Sequence, residues 1–167
     1  MGLLEPDGRG RRAFRRDELS QAAAAPAFVV HSLAQAVAAL EAAAEARRPI
    51  VLLSAPNAGV YAGAGWWKAL VGAAGDAVPQ ARYSAMLDCG EDAGASMAAL
   101  RAAIGGVIFT GRADVAERLA GIAAQQGERL LRARPEAASD LVALFFADPA
   151  TLRRHCAGIL ASHPPIC

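Results

Sequence analysis

The sequence predicts an α/β domain of repeated β-α units around a parallel sheet. Three observations point there. Short apolar runs alternate with segments of helical period along most of the chain. Those runs are continuous rather than alternating, as in strands covered on both faces. Each is followed by a small polar cluster: His31–Ser32, Ser54–Asn57, Asp88–Asp92 and Thr110–Arg112. In parallel α/β folds such strand ends open on one face, where ligand sites gather.

The elements follow in order. FVVHS (28–32) is a short β-branched strand. LAQAVAALEAAAEARR (33–48) places Leu33, Val37, Leu40 and Ala44 on one helical face; Ser32 caps it, with Gln35 at the capping-box position. PIVLLSA (49–55) is a buried strand and GWWKALVGAAGDAV (65–78) a helix. YSAMLDCG (83–90) is a strand, DAGASMAALRAAIG (92–105) a helix and GVIFTG (106–111) a strand. ADVAERLAGIAAQQG (113–127) is a helix ended by Gly127, and ERLLRARP (128–135) a fifth strand. DLVALFFADP reads as strand or helix, and PATLRRHCAGILASH (149–163) as a helix. Two architectures fit: a partial (β/α) barrel, or a flavodoxin-like arrangement of the same units. Either way the sheet edges need cover, which 136–163 could supply on one side.

Composition narrows the function classes. The chain has 167 residues, 54% of them hydrophobic, and a net charge of +1. That suits one domain with a sizeable core and argues against nucleic acid as a partner. No apolar run reaches the ~20 residues of a membrane span. The three cysteines, Cys89, Cys156 and Cys167, form no CxxC pair, so a reduced, cytoplasmic setting is expected. Residues 1–26 carry five arginines and four acids without apolar periodicity, and are expected to be a disordered tail. The β/α domain is expected over 27–135, followed by a C-terminal helical segment and tail over 136–167.

The stretch AFVVHSLAQAVAALEAAAEARRPIVLLSAPNAGVYAG, with Tyr61-Ala62-Gly63 at its end, resembles the opening of class II (zinc-dependent) fructose-bisphosphate aldolases. LDCG (87–90) stands where that family has Leu-Asp-His-Gly, and AALRAAIGGVIFTG and ADVAERLAGIAAQQGERLLRA follow the family's next helices and strands. The resemblance covers about residues 27–134 and rests on order and spacing. It implies a barrel-derived fold, with Asp88 at the place of the acid/base and Cys89 at the place of a zinc-binding histidine. It also implies an acidic metal-site residue on the fifth strand, where RLLRARP offers arginines. The family's further histidines and phosphate loops lie on later strands that a chain of this length is not expected to hold.

The candidate site residues are therefore Asp88 as a catalytic group, and His31, Ser54, Asn57, Cys89 and Thr110 as ligand contacts. Each has a plain alternative. Asp88 could cap its turn, and Cys89 could be a small buried thiol or a nucleophile with His31 as base. SAPNAG (54–59) could receive an anion at a helix N-terminus or simply reverse the chain. His31 and Cys89 could share a metal, zinc being the one cofactor left open; otherwise none is expected. Of Trp66 and Trp67, about 100° apart on a helix, one should be core and the other partly exposed. His155, Cys156, His163 and Cys167 match no zinc spacing. The expected function is a non-catalytic aldolase-like module that binds a small molecule or a protein partner, without nucleic acid or membrane. The alternative is a lyase whose site is completed in a homodimer, formed through a sheet edge or the tryptophan-bearing helix.

Overall fold

The computed structural model describes residues 25–163; the expected tail up to residue 24 and the last residues, with Cys167, lie outside them. The strands are β1 (Ala27–Val29), β2 (Ile50–Leu53), β3 (Tyr83–Asp88), β4 (Gly106–Ile108), β5 (Arg129–Leu131) and β6 (Ser139–Asp140). The helices are α1 (Leu33–Glu45), α2 (Ala58–Tyr61), α3 (Gly63–Ala77), α4 (Ala93–Arg101), α5 (Ala113–Gln126) and α6 (Pro149–Ser162), with a 3-10 turn at Leu141–Leu144. All strand pairs are parallel, in the order β5-β4-β3-β2-β1-β6. Strands β1 to β5 thus add one after another, without the order reversal near β1 of a doubly wound sheet, and β6 returns to the free edge of β1 as a closing strand would. That decides between the two expected architectures in favour of the partial barrel.

Strand alternation sorts the core into two layers. Phe28, Leu52, Leu87, Val107 and Phe109 face the helices. Ala27, Val29, Val51, Leu53, Met86 and Ile108 face inward and meet Leu131 and Ala137. The alanines of α1 let its backbone lie close to its neighbours; Ala36, Ala39 and Ala43 are fully buried. α6 packs on α1, with Cys156 and Leu160 in the shared core. Ser32 caps α1 by accepting from the Gln35 N–H, and the Asp92 and Asp148 side chains cap α4 and α6 in the same way. Among the described residues no helix is long and apolar enough to cross a membrane.

Beyond residue 135 the chain adds to the sheet rather than forming only an appended helix. β6 pairs with β1, in register Phe28↔Ser139 and Val29↔Asp140, and Ala138 N–H donates to Ala27 O at 2.7 Å. β5 and β6 are joined by residues 132–138, fewer than a helical crossover needs. The connection therefore runs back along the seam between them. Pro135 to Ala138 line that seam, and β5 and β6 stay unpaired.

Candidate functional site

The mouth of the barrel is formed by the C-terminal ends of the strands. Asp88, with the same parity as Met86, turns inward at the end of β3 and is 4% exposed. Its Oδ1 accepts from Asn57 N–H at 3.1 Å and Gly90 N–H at 2.9 Å. Its Oδ2 accepts from Arg134 Nη1 at 2.6 Å. Arg134 Nη2 also donates to Ser54 O at 2.7 Å, so one guanidinium ties the connection after β5 to the ends of β2 and β3. Asp88 N–H donates to Ser54 Oγ at 2.9 Å. The donors depend on two left-handed residues, Asn57 (φ 58) and Gly90 (φ 53). Asparagine is one of the few side chains that tolerates that region. At Gly90 a Cβ would in addition overlap Asn57 Oδ1.

His31 stands at the end of β1, and its Nε2 is 2.7 Å from Asp140 Oδ1. Its N–H donates to Gln35 Oε1, and Gln35 Nε2 donates to Leu141 O, both at 2.7 Å. Gln35 does not close a capping box on Ser32; it ties the β1–α1 turn to the segment after β6. Thr110 is exposed at the rim and its N–H donates to Gly90 O at 2.8 Å.

Cys89, expected beside Asp88 at the mouth, faces the other way. It follows Asp88, so alternation sends its side chain into the helix-facing layer, where it is fully buried. A Cβ built on Gly59 would come 2.5 Å from its Sγ, so the glycine gives the thiol its room. Burial pushes the Cys89 pKa up to about 11; the Ser96 hydrogen bond opposes this, and the Asp88 and Asp92 charges add to it. A nucleophile or metal ligand has to be a thiolate, and this site favours the thiol. His31 lies on the inner side with Asp140, so the structure does not bring His31 and Cys89 together. Among the described residues no three His, Cys, Asp or Glu side chains gather into a metal-holding group, and the residues present do not fit a zinc ion. His155, outside the expected site, is 2.9 Å from Ser139 Oγ. Trp67 is buried and Trp66 is 38% exposed, one core and one partly exposed.

Mouth, inner layer and strand order are those of the first part of a (β/α) barrel, and the comparisons agree. A family model described as "Fructose-bisphosphate aldolase class-II" matches residues 16–118. The chain belongs to the class II fructose-bisphosphate aldolase family. Asp88 and Cys89 lie inside the matched range, whereas Arg134 and Asp140 lie beyond it. A solved structure described as "a putative fructose-1,6-biphosphate aldolase from Coccidioides immitis" is similar, with a TM-score of 0.54 and 18% identity, covering 74% of this chain and 51% of that one. At that identity the likeness shows the fold alone, and this chain spans about half the length of that one. No curated protein matches.

Two residues of the aldolase-like mouth escaped sequence reasoning. Asp140 sat in a run read as strand or helix. Arg134 left a signal: arginines stood in RLLRARP where the aldolase pattern led one to expect an acid.

Proposed function

We propose that this chain is a non-catalytic aldolase-like module that binds a small molecule or protein partner at its barrel mouth, without cleaving a sugar bisphosphate. The observation that carries this reading is the state of Asp88. A general base must reach the proton it removes with a free lone pair. Here three of the carboxylate's about four acceptor sites are taken, two on one oxygen by backbone N–H groups and one on the other by a guanidinium. The carboxylate is thereby committed to holding three chain segments together. Exposed apolar groups on the segments that follow β1 and β6 support a protein partner: Leu33, Val142, Phe145 and Phe146, the last 95% exposed.

The test is fructose-1,6-bisphosphate cleavage by the purified chain with added zinc, over a range of protein concentrations. No turnover is expected at any of them. Zinc-dependent cleavage that Asp88→Ala abolishes would overturn the reading. A specific activity rising with concentration would point instead to a lyase site completed between two copies.

A further inference from the structure

At the other end of the barrel from Asp88, the seam between β5 and β6 opens into a cavity of ≈ 700 Å³, a size typical of small-molecule sites. Its wall is mixed, with an apolar part: Val51, Met86 and Leu131 come from the inner face, and Ala27, Pro135 and Ala137 from β1 and the returning connection. Arg129, at the start of β5, shares the inward parity of Leu131 and lines the same space. It is half-buried, and among the described residues its guanidinium has no hydrogen-bond or ion-pair partner. Burial alone lowers its pKa, with no carboxylate offsetting it. Ser84, paired in register with Val51, has a buried Oγ that also lacks a partner among the described residues. Ser84 lies beside the lining residue Val51 and does not itself line the cavity; besides Arg129, the charged or titratable side chains that do are Glu136, which is exposed, and His163, whose Nδ1 is engaged with Ile159 O.

A half-buried guanidinium keeps part of its hydration, and a counter-charge at the cavity wall would replace the part it has lost. A hydrated inorganic anion could supply the charge, but it would have to shed water against the apolar part of the wall. A ligand with one carboxylate and a hydrocarbon body satisfies both halves, because the planar guanidinium presents two parallel N–H donors to a carboxylate. We propose that this cavity binds an apolar monocarboxylate, with its hydrocarbon part along Val51, Met86 and Leu131 and its carboxylate on Arg129. The proposal is independent of whether the barrel mouth is catalytically inert.

Decanoate is the probe, titrated calorimetrically into the full-length chain, with 1-decanol as the uncharged control. Saturable decanoate binding is expected, weakened at least tenfold in Arg129→Gln and partly kept in Arg129→Lys. Decanol should bind the native chain and Arg129→Gln alike. Arg129→Gln without ligand should melt no lower than the native chain, since it removes an unpaired cation. Decanoate binding of equal strength in Arg129→Gln overturns the proposal. Absence of saturable binding to the full-length chain overturns it as well.

Discussion

Replacing Arg134 with methionine keeps most of the aliphatic stem and removes the guanidinium. Asp88 would then keep its two backbone donors but lose its only ionic partner among the described residues. Breaking a fully buried pair from one side costs about 3–5 kcal/mol, whereas an exposed pair is worth under about 1 kcal/mol. The Asp88 side chain is 6% exposed and that of Arg134 24%, so the loss should fall between these limits, at roughly 2–3 kcal/mol. For a chain of this size that corresponds to a melting temperature lowered by about 5–10 °C. Thermal unfolding by circular dichroism of Arg134→Met, Asp88→Ala and the double variant closes a cycle. Asp88→Ala orphans the Asn57 and Gly90 N–H groups, at about 1–3 kcal/mol each, so it should be the more damaging single change. Adding Arg134→Met to it should then cost little, because the partners form one network. An Arg134→Met variant within about 0.5 kcal/mol of the native chain would refute the reasoning. So would strictly additive losses.

Gly59→Ala should destabilise by about 1–3 kcal/mol through overpacking, since the new Cβ meets Cys89 Sγ at 2.5 Å; Cys89→Ala in the same chain should restore part of the loss in chemical denaturation. Only part is expected, because Asp88 O at 3.2 Å and Cys89 Cα at 3.3 Å would still crowd the methyl group. Stability should also fall as pH rises from 9 to beyond 11. The Cys89 and Cys156 thiols are raised from 9.0 to about 11 by burial, so the unfolded chain releases their protons first. The stabilisation from keeping them neutral is complete below the unfolded value and lost on passing through the folded one. Denaturation midpoints of the Cys89→Ala/Cys156→Ala chain should show a shallower alkaline decline, and an identical slope would exclude the thiols as its cause.

How much of this was legible in the sequence differs from one element to the next. β2 and β3 could be read because IVLL and the run through Met86 and Leu87 are continuous and apolar, which only two-sided burial explains. β6 could not be read. Its two residues, Ser139 and Asp140, have no strand-forming side chains, and backbone pairing to the free edge of β1 makes them a strand. The direction of Cys89 was legible in principle, because alternation from an inward Asp88 sends the next side chain outward. What hid it was the aldolase pattern, which pairs the two neighbouring positions at one site. The arginines after β5 were visible, but Arg132 donates to Ala113 O at the surface while Arg134 enters the mouth. That choice depends on how far the sheet curls, a property of the whole barrel rather than of any local run.

The curl itself explains why acid and guanidinium meet. A closed barrel joins its first and last strands by hydrogen bonds. Here the returning connection occupies the seam, and among the described residues β5 has no strand partner on its outer side. Arg134 spans part of that gap at the mouth, reaching Ser54 O on β2's end and Asp88 on β3's end from the chain beyond β5. The bridge needs an anion on the inner side of the mouth, and the position where the aldolase resemblance implies the acid/base supplies it. Bridging of the gap at the mouth and engagement of that carboxylate are therefore one event. A change that released Asp88 from Arg134 would therefore also loosen the contact holding the chain beyond β5 to the rest of the mouth.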